Sequence, residues 1–243
     1  MIKIYGDSHA AYFNLTDKVR ESYPRLKIIR NKDFKLSVAH GASVKGLGKK
    51  KSRLNMAKVI GESIEIEDTL VLNFGQVDLE LGFYYELVIK GKSVSPIAYV
   101  EELIRVYIKF LLEIRKKVKR IIIKGVNIPV FRYKNFALNY VGKIITENIK
   151  SEEDAARKKN ILSSEILDIV EATNMSLLFN SLLKKFSENN SKIGYFDLTE
   201  FLISNDGKIK NEYIPSNFDH HIIDSLYIRN LHWKQLLKTL ESI

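Results

Sequence analysis

The chain has 243 residues, 45% of them hydrophobic and 28% charged, with a formal net charge of +10 and no cysteine. The length suffices for one substantial core, and the missing thiols exclude disulfides and thiolate metal sites. No apolar run approaches the roughly 20 residues of a membrane-spanning helix. The start, Met-Ile-Lys-Ile, runs into a polar turn with no signal-peptide pattern, so the expected compartment is the cytoplasm.

The basic residues cluster at Lys49-Lys50-Lys51 with Arg53, at Arg115-Lys116-Lys117 with Lys119-Arg120, at Arg157-Lys158-Lys159 and at Lys184-Lys185. Nucleic acid, an acidic glycan or an anionic membrane surface can each use such charge. The chain is also rich in Lys, Ile and Asn, and these clusters fall at expected helix ends and exposed faces, where cations are favourable in any protein. No zinc-finger, RNP or Gly-rich nucleic-acid signature is present, so nucleic acid is not an expected partner.

Residues 2–5 form a β-branched run that stops at Gly6-Asp7-Ser8, and residues 9–22 read as a helix ending near Tyr23-Pro24. A hydroxyl at such a junction stands at the carboxyl edge of a sheet, where open α/β folds place ligands. Asp7 or Ser8 can equally cap the helix. Residues 26–29 and 35–39 are short strand candidates, and 40–48 form a Gly-rich loop with neither Walker nor dinucleotide spacing. Residues 50–62 read as an amphipathic helix. Residues 69–74 are the clearest internal strand, ending at Gly75-Gln76-Val77-Asp78, and 79–94 read as a short helix and a loop.

Ser95 and Pro96 suit a helix start, and Val100, Leu103, Ile104, Tyr107, Ile108, Leu111 and Ile114 recur at helical spacing. Residues 120–126 are a buried strand that ends in a turn at Gly125 to Pro129. Residues 130–160 fit no clean period and suggest an insertion or lid. Residues 152–189 are helical with an expected break near Thr173-Asn174. Residues 193–198 form the last strand, 215–222 a polar loop, and 224–240 a terminal helix. The alternation predicts one α/β domain over residues 1–243, a three-layer α/β/α arrangement around a mainly parallel five-stranded sheet.

Only five histidines exist: His9, His40, His220, His221 and His232. His220 and His221 are adjacent, with Asp219 beside them, in a loop that follows a strand and can reach the sheet edge of Ser8. A serine, an imidazole and a carboxylate at one edge would form an acyl-transfer triad. Metal binding by His220 and His221 is the weaker reading, because adjacent ring nitrogens rarely converge on one ion without further ligands and none is obvious.

Gly6-Asp7-Ser8, Gly41, Gly75-x-x-Asp78 and a late Asp-His pair, in this order and each after an expected strand, resemble the SGNH/GDSL hydrolase family. The resemblance spans nearly the whole chain. Within that family the chain is most similar to bacterial members associated with polysaccharide biosynthesis, which also share the Asn127-Ile128-Pro129 turn and the Phe179-Asn180 pair. The resemblance implies a flavodoxin-like fold, Ser8 as nucleophile, and Asp219 and His221 as its partners. It also implies an oxyanion hole from the N–H groups of Ser8 and Gly41.

Two departures stand out. Val77 occupies the position of the family's oxyanion asparagine, leaving neighbouring Gln76 as the candidate donor. The Asp-to-His spacing is i+2 where i+3 is usual, and His220 is the second candidate base. His9, Asp78, Arg132 and His220 are candidate substrate contacts, with Asp78 also suited to holding its turn. The expected activity is a serine esterase that removes an acyl group, by expectation acetyl, from a carbohydrate, with a small ester or acidic sugar as partner and no metal or organic cofactor. The alternatives are an O-acyltransferase acting on a polysaccharide and a non-catalytic glycan or nucleic-acid binding module with a degenerate site.

Overall fold

A computed structural model of the chain describes residues 1–217 and 219–243. Five strands, β1 (Ile2–Gly6), β2 (Phe34–Val38), β3 (Thr69–Asn73), β4 (Arg120–Lys124) and β5 (Ile193–Phe196), form one sheet in the order β2-β1-β3-β4-β5. Every pairing is parallel. This is the expected α/β class, and the order is that of flavodoxin-like doubly wound folds, whose ligand crevice lies where the order reverses, between the carboxyl ends of β1 and β3. Among the described residues no single helix is long and apolar enough to cross a membrane.

The helices are α1 (Asp17–Ser22), α2 (Val44–Leu47), α3 (Met56–Ser63), α4 (Pro96–Ile114), α5 (Lys134–Thr146), α6 (Glu152–Glu165), α7 (Ile169–Glu188), α8 (Thr199–Leu202) and α9 (Leu226–Ser242). Strand alternation sends successive side chains to opposite faces. Tyr5, Leu70, Leu72, Ile121 and Ile123 pack with α4 and α7, and Ile4, Val71 and Ile122 pack with Phe13 and the Trp233 face of α9. The caps follow the sequence: Ser95 accepts from Ala98 N ahead of Pro96, and Asp168 and Glu171 form a reciprocal capping box.

Several boundaries differ from the sequence reading, each for a local reason. Residues 26–29 are no strand but belong to a 3-10 turn, Pro24–Ile28, followed by an extended residue. The Arg20 guanidinium takes the Leu26 and Ile29 carbonyls that a ladder would need. The helix expected over 9–22 is interrupted at Asn14, which is extended, and restarts where Thr16 caps α1. The helix expected from residue 50 begins only at Met56, because Ser52 and Asn55 exchange side-chain-to-backbone hydrogen bonds and Asn55 turns left-handed (φ +46°). The helix and loop expected over 79–94 are present, but the helix is longer, with wide π-type turns at Asp78–Gly82 and Tyr85–Ile89, and the loop begins only at Gly91. Such turns recur at functional sites. The break expected near Thr173 lies at 166–168, where the Asp168 capping box starts α7. Residues 130–160 contain α5 and the first turns of α6, two helices that pack on each other.

The turn after β3 needs glycine. Gly75 has φ +121°, and a Cβ there would stand 2.7 Å from Phe179 Cζ, whereas Gly91 (φ +63°) has open space around it. Gly75→Ala therefore adds a packing clash to backbone strain that alone costs on the order of 1–3 kcal/mol. Its thermal midpoint should fall by more than that of Gly91→Ala, as followed by circular dichroism; equal losses would show that Phe179 yields freely.

Glu86 is 4% exposed and pairs with Lys90 (2.8 Å), Lys92 (2.6 Å) and Lys45 (3.3 Å). Burial raises the pKa of its carboxyl, but the surrounding ammonium groups outweigh burial and bring it down to about 2. A depressed carboxylate stabilises the fold above its ordinary pKa and loses that contribution as pH falls toward 2. The midpoint difference between the wild type and Glu86→Gln should thus be full at pH 6 and shrink between pH 4.5 and 2 in parallel melts.

Candidate active site

β1 lies between β2 and β3, with Gly6 level with Val38 on one side and Asn73 on the other. The ladder runs one residue further: Asp7 N donates to Asn73 O (3.1 Å), and Ala39 N donates to Gly6 O (2.9 Å). Ser8 begins a 3-10 turn, Ser8–Phe13, that Asp7 caps by accepting from His9 N (2.9 Å). Asp7 is therefore the cap, and the Ser8 hydroxyl is left to other partners.

It faces His221. Ser8 Oγ lies 2.8 Å from His221 Nε2, and His221 Nδ1 lies 2.7 Å from Asp219 Oδ1. The i+2 spacing has a simple explanation. Asp219 Oδ1 accepts from both the backbone N–H of His221 (3.2 Å) and the ring N–H, a local Asx-type bond that reaches two residues on. Burial raises the Asp219 pKa, and the His221 hydrogen bonds outweigh it, so the carboxyl is held below its ordinary value. The loop is fastened by Tyr12, whose hydroxyl donates to the Ile222 carbonyl (2.7 Å). Its sequence span 215–222 includes Phe218, which lies outside the described residues. A cleft of about 350 Å³ opens here, lined by Ser8, Tyr12, His40, Asn217, Asp219 and His221.

The same Asp-x-His unit occurs at residues 7–9. Asp7 Oδ1 accepts from His9 N and lies 3.2 Å from His9 Nδ1, and the His9 ring stacks on that of His221 with centroids 4.2 Å apart. Burial pushes the His9 pKa well down. Burial raises Asp7 to about 6, against the pull of backbone N–H groups from His9 and Val77 and of the Lys124 charge. Lys124 is itself driven down to about 7 by burial and donates to Asn127 Oδ1 (2.6 Å). His9 is thus packed against the His221 ring at 1% exposure and does not border the cleft beside Ser8.

His220 points elsewhere than its neighbour. Its Nδ1 lies 2.6 Å from Glu80 Oε2, and the Tyr140 ring of α5 stacks on it at 4.9 Å. Burial depresses the His220 imidazolium, and the Glu80 bond and charge outweigh burial, so its pKa is raised. It is 7% exposed and does not contact Ser8, which leaves His221 as the one partner of the serine among the described residues.

Three sequence expectations are corrected. Gln76 offers no free amide to an oxyanion: its Nε2 donates to Glu80 Oε1 (2.7 Å) and to the Asn127 carbonyl, while its Oε1 accepts from Asn127 N (2.8 Å). Asp78 contacts no cleft beside Ser8. It is 2% exposed and accepts from Val44 N (2.6 Å) and Lys45 N (3.1 Å), holding the start of α2, and burial raises its pKa to about 7. Arg132 donates to the Ile209 carbonyl and does not line that cleft. Gly41 stands in the loop leaving β2 with φ +74°. Missed from sequence were Glu80 and Asn73. Asn73, level with Gly6, has a buried Nδ2 with no partner among the described residues.

The sequence matches no protein-family model and no curated protein. Among solved structures the chain is similar to a GDSL-like lipase from Bacteroides thetaiotaomicron, at 11% identity with a TM-score of 0.53, over 98% of this chain and 87% of that one. It is also similar to TesA at 13% identity (TM-score 0.48, 99% and 98% covered) and to an extracellular lipase from Streptomyces rimosus at 11% (TM-score 0.45, 96% and 98% covered). The chain shares its five-stranded parallel α/β fold with the GDSL-like lipase.

Proposed function

We propose that this protein is a serine esterase of the SGNH type, acting on an acylated carbohydrate. The observation that carries the reading is the continuous hydrogen-bonded chain from Ser8 Oγ through His221 to Asp219. In the first step Ser8 Oγ attacks the ester carbonyl carbon while His221 Nε2 takes its proton; Asp219 holds the ring and balances the imidazolium. The carbonyl oxygen becomes an oxyanion beside the N–H groups of Ser8 and Gly41. Collapse expels the sugar hydroxyl, which leaves with the proton from His221. Water, deprotonated by the same nitrogen, then frees the acid and restores Ser8. With Gln76 committed to Asn127 and Glu80, its amide gives the hole no donor, and each missing side-chain donor costs about 3 kcal/mol. A slow esterase is expected, suited to small acyl groups such as acetyl in a cleft of about 350 Å³.

A fluorophosphonate probe should label the wild type at Ser8 and leave Ser8→Ala unlabelled, read by gel fluorescence and peptide mass. Equal labelling of the two, or none of either, would overturn the reading. With an aryl acetate as substrate, Asp219→Ala should lower kcat/KM on the order of 10⁴-fold without altering the circular dichroism spectrum. A loss under tenfold would remove Asp219 from the triad.

A further inference from the structure

We infer that His9, His220 and His221 form a binding site for a divalent transition-metal cation of the zinc type. One ring nitrogen from each lies within 4.8 Å of those of the other two. The rings are mutually packed, with centroids 4.0 Å apart for His220 and His221, 4.2 Å for His9 and His221, and 4.9 Å for His9 and His220. All three have Nδ1 beside a separate carboxylate: Asp7 at 3.2 Å, Glu80 at 2.6 Å and Asp219 at 2.7 Å.

That arrangement is what a histidine metal site requires. A ligating imidazole donates its second N–H to a carboxylate, which fixes the tautomer and leaves a lone pair on the other nitrogen. Here the Nδ1 contacts leave Nε2 of each ring as the candidate ligand atom, that of His221 being shared with Ser8 Oγ at 2.8 Å. His9 Nε2 is buried with no hydrogen-bond partner. A buried unpaired nitrogen is costly, and a metal would satisfy it. Three carboxylates behind the rings offset a double positive charge. Zinc–nitrogen bonds of about 2.0–2.1 Å in a tetrahedron place the nitrogens roughly 3.4 Å apart, so loading requires the rings to turn toward a common point, above all His9 and His221, which now stack with their planes 26° apart. All-imidazole donors favour zinc, copper or nickel over magnesium or calcium. The fourth position falls to Ser8 Oγ or a water, since Ser8 Oγ already lies 2.8 Å from His221 Nε2.

The site stands on its geometry and not on the esterase reading, but the two meet at one atom. His221 Nε2 cannot hold a metal and accept the Ser8 proton at once, so a bound cation would silence the proposed hydrolysis.

The test titrates zinc alone into the full chain by calorimetry and by competition with a chromogenic chelator. One zinc per chain is expected, with cobalt giving the visible bands of a tetrahedral site. His9→Gln and His220→Gln should each weaken binding roughly tenfold or more; if His9→Gln fails to fold, His220→Gln decides alone. Ser8→Ala should still bind zinc while losing fluorophosphonate labelling, which separates failure of the metal site from failure of the triad. The proposal is overturned if the wild type binds no stoichiometric zinc, or if the folded histidine variants bind as the wild type does.

Discussion

The position of β1 between two parallel neighbours governs everything that follows it in the site. Its ladder continues one residue past the strand, through Asp7 N to Asn73 O, before the chain turns. That last bond fixes the direction in which residue 8 leaves the sheet. Gly6 makes the close approach possible, because a Cβ there would lie 2.7 Å from Ala10 Cβ and press on the Asn73 backbone. With the strand pinned on both sides, Ser8 meets His221 across 213 positions of sequence at 2.8 Å, and neither side chain need search for the other.

The ground beneath Ser8 is unusually charged for a protein interior. Asp7, His9, Asp78, Lys124 and His220 are all 7% exposed or less. Burying such groups is unfavourable unless each is paired or changes protonation state, and this interior uses both routes. Asp78 and Asp7 take backbone N–H groups, Glu80 and His220 pair directly, and His9 and Lys124 are pushed toward their neutral forms. The result is a cluster in which removing one partner leaves another uncompensated. It is a rigid platform for positioning and a poor one for tolerance to substitution.

The architecture was legible because buried parallel strands are continuous apolar runs: residues 69–74 and Ile121-Ile122-Ile123 admit little else. Ser8 was legible as a hydroxyl at a strand end, and Asp219 and His221 as chemistry-bearing types in a polar loop. What stayed hidden were the side-chain bonds that redirect backbone and function. Nothing in the string of letters says that the Arg20 guanidinium takes the Leu26 carbonyl, or that Gln76 turns to Asn127. Glu80 was invisible for a related reason. It lies in a stretch whose wide π-type turns shift side chains off the usual helical face, so no period points it at His220.

The duplicated Asp-x-His joins these threads. At Asp219 and His221 the unit lies on a surface loop bordering the cleft; at Asp7 and His9 it is sunk beneath the sheet edge. One carboxylate oxygen contacts both N–H groups of the residue two places on, so each ring is aimed by its own backbone and needs no distant support. Stacking the two rings at 4.2 Å leaves His221 little freedom to rotate away from Ser8. It also brings a second imidazole to the same place. A single hydrolytic histidine has no need of that second ring's lone pair, whereas a cation does. Under the two proposals the same packing would be put to uses that exclude each other at His221 Nε2, since that one nitrogen lies 2.8 Å from Ser8 Oγ.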